Sequence, residues 1–260
     1  MIQEQFVNKA SEVIKKDDSI IGLAVGGSWL TNELDEYSDL DLTLVTKEKV
    51  SDDPAKMLQY AASFGKLLSG FTGEHVGESR LLICLYDDPL LHVDIKFLTL
   101  PEFYSRVENP VILHDTNGQL KDVLSKSNAS YPYPDYQWIE DRFWIWVHYA
   151  TLKIGRGELF EALDFLCFIR MVVLGPLWQA KNGDRPRGVR KVEMNLAADD
   201  LNKLKLTIAA YEQASIIAAL EASIELYHEL RQRLFPKEVK KQAETELKVV
   251  EYLQLIKYKK

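Results

Sequence analysis

Two textures of hydrophobic and polar positions follow one another along the chain. Residues 2–16 carry apolar side chains at Phe6, Ala10, Val13 and Ile14, the stripe of an amphipathic helix. Residues 20–25 (IIGLAV) form a short continuous apolar run of buried-strand type, cut off by Gly26-Gly27-Ser28. Leu40, Leu42 and Leu44 then alternate with Asp39, Asp41 and Thr43, which is the period of a strand. Pro54 and the residues up to Gly70 read as one helix, with proline in the first turn and glycine at the end. Residues 80–86 and 91–98 flank Asp87-Asp88-Pro89 and predict a hairpin. Residues 111–115 (VILHD) predict a further short strand before Asn117-Gly118. After a Ser-, Asn- and Pro-rich stretch at 127–136 the texture changes to long helical patterns, near 135–155, 158–181, 200–235 and 237–258.

The expected class is therefore α+β: an N-terminal mixed sheet with flanking helices over 1–128, then a C-terminal helical bundle domain over 129–260. A length of 260 residues accommodates both. No internal repeat or low-complexity tract interrupts this order.

Charge sharpens the division. The net charge is −7, but residues 1–130 carry 12 basic and 21 acidic residues, a net of −9, while the remainder is at +2. An acidic front half opposes a general nucleic-acid binder, which needs a positive footprint, and would attract a cationic small molecule. Cys84 and Cys167 both lie among apolar neighbours and read as buried free thiols of a reducing compartment. The first residues lack the apolar core of a signal peptide, and no apolar run approaches the ~20 residues of a membrane span. A cytoplasmic protein is expected.

The candidate chemistry sits in the front half. Asp39 and Asp41, two apart on a strand, point to one face, and two carboxylates held together repel unless a cation lies between them. Oxygen-only ligands suit Mg²⁺ shared with phosphate oxygens. Asp94, in the strand HVDIKF, would complete a two-metal cluster if the strands pair. The backbone N–H groups of the Gly26-Gly27-Ser28 turn and the Ser28 hydroxyl could hold a triphosphate.

A strand, a Gly-Ser turn, a following strand with Asp-x-Asp and a third carboxylate on a later strand resemble the nucleotidyltransferase superfamily of the DNA polymerase β type. Gly27, Ser28, Asp39, Asp41 and Asp94 fill those places, and Ser38 before the first aspartate also fits. Residues 111–120, residues 144–166 and the helical remainder look like the small-molecule branch of antibiotic-modifying enzymes, the aminoglycoside and lincosamide nucleotidyltransferases. The resemblance implies an enzyme that transfers a nucleoside monophosphate, AMP from ATP with two Mg²⁺ ions, to a hydroxyl of a small acceptor. The expected partners are thus a nucleoside triphosphate and a small hydroxyl-bearing molecule, with no nucleic acid and no membrane, and with a homodimer left open. In antibiotic-modifying members the third carboxylate is often a glutamate credited as general base. Here it is Asp94, one methylene shorter, with the roles of metal ligand, base or both left open. Two other readings stand beside this one, a module that adenylylates a protein partner in the manner of an antitoxin and a catalytically silent nucleotide binder.

Other residues carry weaker signals. Lys153 and Arg156 lie before the Gly157 break, where solvated helix charges compete with contact to nucleotide phosphate; Lys153 is the candidate retained. Glu158 and Glu161 read as favourable helix N-terminal carboxylates or as part of acceptor recognition. His92, Asp94 and Lys96 share one strand face, but His92 and His148 read as structural or surface residues. Trp138, Phe143, Trp144, Trp146 and Tyr149 form an aromatic helix best read as core.

Overall fold

The computed structural model describes residues 1–259; Lys260, the last residue of the expected helical domain, lies outside the described residues. The chain divides into two compact units, Met1–Tyr131 and Pro132–Lys260. The class is α+β, a mixed six-stranded sheet with helices followed by a helical unit.

The front unit runs α1 (Ile2–Ile14), β1 (Ile20–Val25), β2 (Leu40–Thr46), α2 (Pro54–Phe64), β3 (Lys66–Gly73), β4 (Glu78–Asp87), β5 (Leu91–Thr99), α3 (Leu100–Phe103), β6 (Val111–Asp115) and α4 (Gln119–Lys126). The strand order is β3-β4-β5-β2-β1-β6. Every pairing is antiparallel except β2 with β5. β1 is apolar throughout because both its faces are covered. Leu23 and Val25 join the cluster under α1 and α2, while Ile21 and Ala24 join a smaller cluster with Leu120 and Val123 of α4. The alternation of β2 sends Leu40, Leu42 and Leu44 into the larger cluster, along with Val93, Ile95 and Phe97 of β5. On the opposite face the smaller cluster takes Val45 and Leu98, near the far ends of these strands. Their beginnings, with Asp41 and Asp94, are left half-buried. The alternation thus delivers two carboxylates to the uncovered part of one sheet face.

One expectation fails here. The helix beginning at Pro54 stops at Phe64 and does not run on to Gly70. Asp53 caps its start by accepting from the Lys56 N–H at 3.1 Å. After Gly65 the chain becomes β3, the edge strand paired with β4. Cross-strand pairing overrides a local pattern that is compatible with either element.

The back unit is helical: α5 (Tyr136–Arg156), α6 (Leu159–Ile169), a π-helical turn at Arg170–Leu174, α7 (Gly175–Lys181), α8 (Val192–Asn195), α9 (Ala198–Lys205), α10 (Gln213–Leu234) and α11 (Ala243–Tyr258). Asp135 caps α5 by accepting from the Trp138 N–H at 3.0 Å, and Gly157, with φ 76°, ends it in the left-handed conformation. Phe143, Trp144, Leu166, Trp178, Leu220 and Tyr227 are among the side chains of its core. The helical stretch expected over 200–235 is two helices. Between them Thr207 is fully buried, its hydroxyl donates to the Leu204 carbonyl at 2.7 Å and its own carbonyl accepts from Arg170, so the chain turns there. Among the described residues no helix is long and apolar enough to cross a membrane. The cysteines also part company: Cys84 is buried, with its thiol pushed up to about 12 by desolvation, whereas Cys167 is exposed on α6. The apolar neighbours of Cys167 alternate around a helix, so they do not cover it.

Candidate active site

The site is assembled by register. β2 and β5 run parallel with Asp41 directly beside Asp94. The Val25–Leu42 pairing of β1 with β2 brings the turn that follows β1 alongside Asp41, and the Gly26 N–H donates to the Asp41 carbonyl at 2.9 Å. Gly27 adopts φ +60°, and a Cβ built on it would lie 1.9 Å from Asp41 Oδ2. The Asp41 carboxylate therefore rests directly against a backbone that only glycine permits.

Asp39 lies just before β2 and is half-buried. Its negative charge is felt at Asp94, whose pKa is raised above the ordinary carboxylate value. Burial is the main cause, and Asp39 adds to it, while His92 acts in the opposite sense. His92 Nε2 and Asp94 Oδ1 are 3.0 Å apart, and which partner holds the proton depends on the imidazole tautomer. Further along the same face, Lys96 pairs with Glu78 at 2.7 Å. Glu78 is held down to about 2, chiefly by its hydrogen bond from Arg80 and also by Lys96.

The turn already meets an anionic group of the protein. The Gly27 N–H donates to Glu108 Oε1 at 2.9 Å, and a Cβ on Gly26 would come 2.9 Å from the same oxygen. Glu108 comes from the loop between α3 and β6. The Gly27 N–H thus already receives a carboxylate oxygen, as it would an oxygen of another anion.

The chemistry of the donors fits a hard divalent cation. Asp39, Asp41 and Asp94 offer only oxygen. Among the described residues no three His, Cys, Asp or Glu side chains stand ready to enclose an ion. The aspartates are thus a partial ligand set, of the kind Mg²⁺ uses when phosphate oxygens complete its shell.

Residues 7–114, which hold both strands and the turn, match the family model of the nucleotidyltransferase domain. The match covers most of the front unit and 108 of the chain's 260 residues. By that match the chain is similar to nucleotidyltransferase enzymes. No curated protein matches the chain. Among solved structures it is similar to an aminoglycoside 6-adenyltransferase from Bacillus subtilis, with 14% identity over 99% of this chain and 98% of that one, at a TM-score of 0.44.

The front unit brings Gly26, Gly27, Asp41 and Asp94 together, with Asp39 close enough to perturb Asp94. Ser28 follows on the turn. Ser38 is engaged in shaping the approach to Asp39: its hydroxyl donates to Asp35 Oδ1 at 2.8 Å and accepts from the Asp35 N–H at 3.0 Å. Lys153 belongs to the helical unit, where it pairs with Glu158 at 2.8 Å and Glu161 at 2.9 Å, and both contacts raise its pKa. Two residues of the site were not assigned from sequence. His92 carried a usable signal, since it shares the face of Asp94 two positions away. Glu108 carried none, because 81 positions separate it from Gly27.

Proposed function

We propose that this enzyme transfers AMP from ATP, with Mg²⁺, to a hydroxyl of a small amine-bearing acceptor of the aminoglycoside or lincosamide kind. The observation that supports it best is the register of Asp41 beside Asp94, with the Gly26-Gly27 turn packed on Asp41. The resemblance read from the sequence supplies the adenylyl donor and the acceptor class, and the acidic front half favours a cation over an anion.

In this reading the Gly27 N–H and the Ser28 hydroxyl bind the triphosphate, which displaces Glu108 from Gly27. Asp39 and Asp41 hold the divalent cation. Such a cation, when bound, polarises the α-phosphoryl group and offsets charge on the leaving pyrophosphate. Asp94 takes the proton of the acceptor hydroxyl. Burial and the Asp39 charge both raise its proton affinity, and His92 fixes its orientation. The bond that forms joins the acceptor oxygen to the α-phosphorus, and the bond that breaks releases pyrophosphate.

The test is pyrophosphate release from MgATP in the presence of a panel of aminoglycosides and lincosamides, with mass spectrometry of the acceptor. A gain of one AMP on an acceptor is the expected outcome. Pyrophosphate release that no acceptor stimulates, together with unmodified acceptors throughout, would sink the acceptor class.

A further inference from the structure

The row that contains the catalytic carboxylates does not end with them. Asp41 pairs with Asp94, Asp94 pairs across to Ile83 of β4, and Ile83 pairs with Phe71 of β3. Directly paired residues project from the same sheet face. One line across four strands therefore reads Asp, Asp, Ile, Phe. Leu85 and Leu81 flank Ile83 on β4, two positions to either side and on the same face. The other face of β4 is spoken for, since Leu82, Cys84 and Tyr86 go into the core under α1 and α2.

An antiparallel sheet facing water on one side normally shows polar residues there. Here Phe71 is 53% exposed and Leu85 is 38% exposed, while Ile83 and Leu81 are half-buried. Charged residues border the shelf: His92, Asp94 and Lys96 on β5 are the direct partners of Leu85, Ile83 and Leu81, and Glu78 at the start of β4 pairs with Lys96. The result is an apolar shelf with one edge bounded by Asp94. With strands about 4.8 Å apart, Ile83 lies roughly one strand spacing and Phe71 roughly two from Asp94, the reach of a single ring or short alkyl group attached near a reacting hydroxyl.

We propose that Phe71, Ile83, Leu81 and Leu85 form the acceptor-side specificity surface. The acceptor is then an amphiphile, a hydroxyl-bearing molecule with an aromatic or alkyl group within about 10 Å of the hydroxyl that receives the nucleotide. This rests on the proposed nucleotidyl transfer and narrows it. The occupant is argued from continuity: the shelf and the carboxylates belong to one unbroken row of paired residues. A surface reserved for a second protein copy has no reason to begin at Asp94.

The test uses the whole protein and matched probes, phenyl and methyl glycosides of the same amino sugar, each with free hydroxyls. Saturation-transfer difference NMR is recorded in the presence of Mg²⁺ and a non-hydrolysable ATP analogue. The phenyl glycoside is expected to bind about tenfold more tightly than the methyl glycoside, with saturation concentrated on the ring protons. Phe71→Ser, at an exposed position, should abolish that preference, and Phe71→Leu should restore most of it. Equal binding of the two glycosides, binding of neither, or a preference untouched by Phe71→Ser would overturn the proposal. So would conversion of a dimer to monomers by Phe71→Ser, read by light scattering. Calorimetry of MgATP binding to the same samples reports separately on the nucleotide site, so loss of the transferase reading is distinguishable from loss of the shelf.

Discussion

Asp94 in the front unit and Glu140 in the back unit are both withdrawn from water, and the fold treats them in opposite ways. Glu140, on α5, is fully buried and surrounded by donors: the Tyr227 hydroxyl, Arg231 Nη1 at 3.1 Å and the Gln242 N–H at 2.9 Å. Arg231 is itself shared with Glu246 at 2.8 Å. This is a buried charge whose hydrogen-bonding capacity is met, and it ties α5 to α10 and to the start of α11. Asp94 is placed beside Asp41 and within the field of Asp39, with His92 as its neighbour. Burial and the Asp39 charge raise the energy of Asp94 as an anion, whereas Glu140 is ringed by hydrogen-bond donors. In the proposed reaction, the contrast separates a carboxylate that holds the fold from one placed to react.

Removing both front aspartates is the most severe way to test that contrast. Asp39→Ala/Asp41→Ala should cut pyrophosphate release by at least about 10³-fold, in line with the loss of electrostatic transition-state stabilisation. Its urea midpoint should not fall, because the change relieves repulsion between like charges. An unfolding midpoint that drops sharply would place these carboxylates with Glu140 as structural groups. Glu140→Ala should show the reverse profile. Leaving Arg231 and Tyr227 without their buried partner should cost about 3–5 kcal/mol of unfolding free energy, measured by urea denaturation. The fraction that remains folded should keep its turnover. Glu108→Gln is the mildest of the three. It keeps the shape but removes the charge that competes for Gly27, so nucleotide should bind about threefold to tenfold more tightly, the weight of one hydrogen bond of about 1 kcal/mol. Weaker binding in calorimetry would make Glu108 a contributor to the nucleotide site and not its temporary occupant.

Legibility in the sequence followed the range of the interactions. β1, the glycine turn and β2 could be read because alternation and turn chemistry are local, and Asp39 and Asp41 came with them. β6 was legible for the same reason. β3 was not: residues 66–73 carry Leu67, Leu68 and Phe71 in a pattern compatible with extending α2, and only pairing with β4 decides the matter. The break near Thr207 was hidden because it depends on Arg170, 37 positions away. Sequence placed Asp94 on a polar face but could not give its partner strand or register. Its perturbation arises from burial and from Asp39, neither of which spacing reveals.

The parallel β2–β5 pairing has a consequence for how the protein reaches its working form. β3, β4 and β5 are joined by short connections and β1 and β2 by a longer loop, so each set can form as a separate piece, each holding part of the carboxylate set. Asp41 meets Asp94 only when these pieces dock through a pairing between residues far apart in the chain, the slow kind of contact. That docking step must also press like charges together. Refolding should therefore restore helical signal before it restores catalytic competence, and added divalent cation should hasten the second event more than the first.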